Sequence, residues 1–199
     1  GNVDYSTTIQ KWLYWPDTTS LDIIYACAGH FLFSGDPLWL LIVGPPGCGK
    51  TELIRSIRGH WAAVNLDVWS SKALSSGFKT IKDGKDTDEY SLLKKLNRRL
   101  LLIKDLTGIL GSASTSGKEL IDQLRGIYDG YWDKATGLGQ KSYNAKFGLL
   151  AGCTPAIDGL KLINAAMGDR FLRLEWKTDT WEIAKKSEKT SGQKDAMRK

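Results

Sequence analysis

Leu38-Trp39-Leu40-Leu41-Ile42-Val43-Gly44-Pro45-Pro46-Gly47-Cys48-Gly49-Lys50-Thr51-Glu52 is the stretch that decides the fold. Six apolar residues in a row, bounded by glycine and proline, read as a strand buried on both faces in a parallel sheet. Gly44 to Thr51 fits the phosphate-binding loop pattern G-x-x-x-x-G-K-[ST]. Beyond it, Leu53, Ile54 and Ile57 fall on one face of a helix. Strand, glycine loop and helix together predict a site for the phosphates of a nucleoside triphosphate. Glycines let the backbone wrap closely, so that N–H groups and the helix N-terminus face the anion. Gly44, Pro45, Pro46, Gly47, Cys48, Gly49, Lys50, Thr51 and Glu52 are the candidate nucleotide-binding residues. Lys50 would supply charge to the β- and γ-phosphates, and the Thr51 hydroxyl would ligate Mg2+.

Working outward, Pro16-Asp17 closes an aromatic lead-in, residues 1–19, that contains Trp12 and Trp15. Thr19 or Ser20 is expected to cap a helix with Leu21, Ile24, Tyr25, Ala28 and Phe31 or Leu32 facing inward. Further strands are expected at 62–69, 100–105, 147–153 and 171–176. Helices are expected at 90–97, 117–129 and 157–167, with a polar loop or short helix over 70–88 and an exposed loop or hairpin over 130–146. The run Leu100-Leu101-Leu102-Ile103-Lys104-Asp105 reads as a strand that delivers a carboxylate, so Asp105 is the second candidate magnesium ligand.

Composition narrows the class. The chain has 199 residues and a net charge of +6. Residues 185–199 carry six basic side chains against two acids, which leaves two net positive charges on residues 1–184. A nearly neutral core with a solvated basic tail fits better than a dedicated nucleic-acid arm. Three scattered cysteines, without C-x-x-C spacing, argue against a disulfide framework or a zinc site and fit the cytoplasm. No apolar run approaches the roughly 18–20 residues of a membrane span.

The order of these pieces resembles the AAA+ ATPases. LLLIKDLT at 100–107, IYDGYW at 127–132, LLAGCTP at 149–155 and GDRFLRLEW at 168–176 are similar to AAA-type ATPases of phage and other mobile elements. The resemblance spans about residues 20–176, the expected ATPase core, with 177–199 as a basic tail or the start of a truncated region. It implies an α/β fold of the P-loop NTPase type, a three-layer sandwich around a five-stranded parallel sheet. It also implies ATP and Mg2+ as cofactors, a homo-oligomeric ring or filament, and DNA or a DNA-bound protein as partner.

Carried over by position, Lys50 and Asp105 become catalytic. Thr154 becomes the polar sensor of the γ-phosphate, and Arg170 a finger that reaches a neighbouring subunit, with Arg173 as runner-up. Two departures stand out. Asp105 is followed by Leu106 rather than by the water-activating glutamate, so Glu119, Asp122 or Asp129 would have to substitute, or hydrolysis is slow. The helical lid that normally comes after the fifth strand does not fit into residues 177–199, so the expectation is a fragment of a longer chain, cut shortly after the ATPase core. Without a lid, the Trp12–Trp15 segment is the candidate face for adenine. The alternatives are a nucleotide-dependent switch with little hydrolysis and a small-molecule P-loop kinase.

Overall fold

The computed structural model describes residues 18–66, 92–111, 115–129, 132–136, 139–143, 145–159 and 168–176. Seven strands occur among them: β1 (Trp39–Val43), β2 (Ala63–Leu66), β3 (Leu100–Ile103), β4 (Trp132–Thr136), β5 (Gly139–Tyr143), β6 (Gly148–Cys153) and β7 (Phe171–Glu175). The helices are α1 (Thr18–Gly29), α2 (Lys50–Ile57), α3 (Leu92–Leu96), α4 (Leu106–Gly111) and α5 (Thr115–Tyr128).

Strands β1, β3 and β6 are buried along their whole length, as unbroken apolar runs require when both faces of a sheet are covered. They form the centre of a five-stranded parallel sheet of order β2-β3-β6-β1-β7. The half-buried β2 and the partly exposed β7 take the edges. One face packs Leu40, Ile42, Leu102 and Leu150 against α1 and α2, through Leu21, Ile24, Leu53 and Ile54. The other packs Trp39, Leu41, Leu101, Leu149 and Ala151 against α4 and α5, through Leu106, Leu120, Ile121 and Leu124. Helix, sheet and helix make the three layers expected of the α/β class.

Trp39 holds the lower part of the second layer together. Its ring lies 5.4 Å from Phe147, 5.6 Å from Phe171 and 5.0 Å edge-on from Tyr128. Its indole N–H donates to the Phe147 carbonyl at 2.8 Å, so a fully buried polar atom is satisfied.

Several boundaries differ from the sequence reading. Helix α1 starts at Thr18, which places Thr19 and Ser20 inside its first turn rather than at its cap. Phe31 is buried in a short 3-10 turn (His30–Leu32), whereas Leu32 is 59 % exposed. After β6 and Thr154, Pro155–Gly159 form a 3-10 turn that takes in the first three residues of the helix expected at 157–167. The rest of that expectation, 160–167, lies outside the described residues, as do 67–69, the loop over 70–88 and the Trp12–Trp15 segment. Within the 130–146 stretch, the described strands β4 and β5 pair antiparallel, as the hairpin alternative expects. Helix α4, directly after Asp105, is a feature that the sequence reading does not anticipate.

Candidate functional site

The phosphate loop leaves the C-terminal end of β1 and closes onto the N-terminus of α2. Gly47 (φ 77°) and Gly49 (φ 91°) both occupy the left-handed region, where a side chain would be strained. Gly49 is also the N-cap of α2, with no side-chain cap on the first helical N–H groups. Those donors at a helix N-terminus are what an anion needs. Space around Gly47 and Gly49 is open on the side where a Cβ would stand, so a ligand can approach the backbone closely there.

Lys50 is 8 % exposed, and its ammonium turns back onto the loop. It donates to the Gly44 carbonyl at 2.7 Å, the Pro45 carbonyl at 2.6 Å and Cys48 Sγ at 3.2 Å. A buried cation must have such partners. All three belong to the loop itself and none is a carboxylate, so the charge is held beside the cradle without being neutralised by them. The donor set therefore fits a polyphosphate. Glu52, the last residue of the candidate set, pairs with Arg55 on the exposed face of α2.

The sheet order positions the rest. Strand β6 lies between β1 and β3, in register Val43↔Cys153 and Ile103↔Ala151. The strand ends therefore present Asp105, Thr154 and Gly44 in sequence along one edge. The strand order reverses around β1, with β7 on one side and β6, β3 and β2 on the other; this is where open α/β sheets bind ligands. Gly152 makes the close spacing feasible, because a Cβ there would stand 2.5 Å from the Lys104 carbonyl oxygen.

Asp105 is exposed at the head of α4, and its Oδ1 accepts the Gly108 N–H at 3.0 Å. One carboxylate oxygen thus caps the helix. Leu106, at the position expected of a water-activating glutamate, is fully buried because α4 turns it into the core. Thr107, to which the sequence reading gives no role, points to β6 instead. Its hydroxyl accepts the Thr154 N–H at 2.9 Å. Burial, reinforced by the Asp105 carboxylate, pushes that thiol up to about 12, against the opposing pull of Thr107, Arg173 and Lys50. Cys153 thus lies in the field of three of the site's charges. Cys27, Cys48 and Cys153 are all free and buried.

The two arginines of the β7 region both have partners within the chain. Arg170 forms a two-pronged pair with Asp129, at 2.9 and 3.0 Å, and lies 5.8 Å over the Tyr128 ring. Arg173 pairs with Asp158, which holds that carboxyl below its usual range. Arg170 precedes Phe171, whose register partner is Trp39, whereas the P-loop begins after Val43. The separation along the strands is roughly 13 Å, from about 3.3 Å per residue. Arg170 is thus not brought to its own chain's phosphate loop. Glu119 and Asp122 are exposed on α5, and Asp129 is engaged by Arg170. No cluster of three or more His, Cys, Asp or Glu residues with metal-site geometry occurs among the described residues, and no described helix is long and apolar enough to cross a membrane.

A glycine phosphate loop at the switch point of a five-stranded parallel sheet defines the P-loop nucleotide-binding class. Residues 40–175 match the family described as "ATPase family associated with various cellular activities (AAA)", and the chain belongs to that family. No curated protein matches the chain.

Proposed function

We propose that the chain is a Mg2+-dependent ATPase with slow intrinsic turnover that works as an oligomer. The observation that carries this reading is the buried Lys50 ammonium, held by loop carbonyls next to two positive-φ glycines with open space where a Cβ would stand. ATP would exchange those carbonyls for its β- and γ-phosphate oxygens. Thr51 and the free side of Asp105 would hold Mg2+, which when bound neutralises charge on the phosphates. Thr154 would face the γ-phosphate from the middle strand end.

Slow turnover is expected from the strand-end chemistry. Leu106 is buried where a glutamate would orient water, and the Thr107 hydroxyl is engaged by the Thr154 N–H. An oligomer, ring or filament, is inferred from Arg170. Too far from its own P-loop, it would serve a neighbour's site once released from Asp129. Action on DNA or a DNA-bound protein, in a phage or mobile element, rests on the sequence resemblance alone. The organisation that goes with it is an aromatic lead-in over 1–19, an ATPase core over 20–176 and a basic tail over 177–199.

The test is the steady-state ATPase rate with and without DNA, together with mass in solution with and without an ATP analogue. The proposal expects a low basal rate that rises with assembly. A monomer that turns over rapidly at every concentration would overturn it. The switch reading shares the buried Leu106 as its support and predicts assembly on ATP binding with no turnover.

A further inference from the structure

Trp176 comes directly after β7 and is buried on the α2 side of the sheet, 4 % exposed. It meets the phosphate loop at both ends. Its backbone N–H donates to the Val43 carbonyl, where the loop leaves β1, at 2.6 Å. Its indole N–H donates to the Cys48 carbonyl, where the loop closes, at 3.0 Å across 128 residues of sequence. Between them, its Cβ stands where Gly44 leaves room for it: a Cβ added at Gly44 would lie 2.8 Å from it.

The bond to Cys48 has a directional consequence. In a planar trans peptide the C=O and the next N–H point in opposite directions. Drawing the Cys48 carbonyl inward to the buried indole therefore turns the Gly49 N–H the opposite way. Gly49 needs such a restraint more than most residues. With φ at 91° and no Cβ, it sits in a part of conformational space that glycine enters and leaves readily. We infer that Trp176 is a positioning residue for phosphate binding: it locks the Cys48–Gly49 peptide so that the Gly49 N–H faces the anion. This rests on the nucleotide-binding reading of the loop and deepens it. It also makes the residue that follows the fifth strand of the sheet part of the cradle formed after the first.

The test is Trp176→Phe, which keeps an aromatic ring and removes the indole donor, with Trp39→Phe as the matched control. Trp39 is equally buried and also donates to a carbonyl, but within the core and away from the loop. Affinities for ATP and ADP are measured by calorimetry, and folding by circular dichroism. Because the loop N–H groups cradle the inner phosphates, Trp176→Phe is expected to weaken ATP and ADP alike, at least fivefold, while Trp39→Phe stays within twofold of wild type. Wild-type binding of nucleotide with Trp176→Phe also within twofold removes this inference alone. A wild-type chain that binds neither nucleotide removes the P-loop reading as well. Should Trp176→Phe fail to fold, the indole N–H resonances of the wild-type protein decide. Adding ADP is expected to shift the Trp176 signal well beyond the Trp39 signal, and an unmoved Trp176 signal overturns the inference.

Discussion

The amide of Thr154 donates to the hydroxyl of Thr107 at 2.9 Å, across 47 residues of sequence. The bond joins the turn after β3, where Asp105 sits, to the end of β6, where Thr154 sits. Two of the proposed catalytic positions are thereby set relative to each other by a third residue, Thr107.

Thr107→Val keeps the shape of the side chain and removes the acceptor, which leaves a partly buried N–H without its partner. The cost in stability should be about 1–3 kcal/mol, as for other unsatisfied buried groups. ATP affinity should change little while turnover drops, since the displaced group is Thr154 rather than Lys50. Thermal melts and a comparison of kcat with nucleotide Kd check both parts.

Asp105 caps α4 and is proposed to hold Mg2+ as well. Asparagine caps a helix about as well as aspartate, so Asp105→Asn should keep the melting temperature and lose Mg2+-dependent binding or turnover. Asp105→Ala should lose both, with a stability cost of about 1 kcal/mol from the missing cap. Normal hydrolysis by Asp105→Asn would place the metal shell elsewhere.

Cys153 should resist alkylation in the folded protein at pH 8 to 9, because its thiol is buried and titrates near 12. Its effect on stability has a definite sign. Between the ordinary thiol range and about 12, the folded state keeps a proton that the unfolded state loses. Cys153 therefore lowers stability as pH rises from about 9 to 12 and has no such effect below 9. Cys153→Ala should flatten that alkaline decline, as read from denaturant midpoints across pH.

Arg170→Ala should spare ATP binding and abolish any more-than-linear rise of activity with protein concentration. Mixing it with Lys50→Ala should restore some activity, because mixed oligomers can pair an intact P-loop with an intact arginine. If hetero-oligomers form and remain no more active than their components, the Arg170–Asp129 pair is a structural one within the chain.

Legibility in the sequence divides along physical lines. Strands β1, β3 and β6 announce themselves because burial on both faces demands unbroken apolar runs. The phosphate loop does so because glycine is needed where φ is positive. Helix α4 is hidden because it has only six residues, two of them glycines, Gly108 and Gly111, too few for a period to show. The Trp176–Cys48 bond spans 128 residues and the Arg170–Asp129 pair 41, and each exists only once the sheet order is fixed. Sequence spacing marks Arg170 as a candidate finger; only the fold shows which carboxylate holds it.

Lys50 and the loop around it are proposed to bind the phosphates of ATP. Calorimetric titration of Mg-ATP into wild type and Lys50→Ala tests it most directly. Measurable binding by wild type and an affinity at least tenfold lower for the variant, about 1.4 kcal/mol, are expected, with both proteins folded. Equal affinities, or no binding by the wild-type chain, would contradict it.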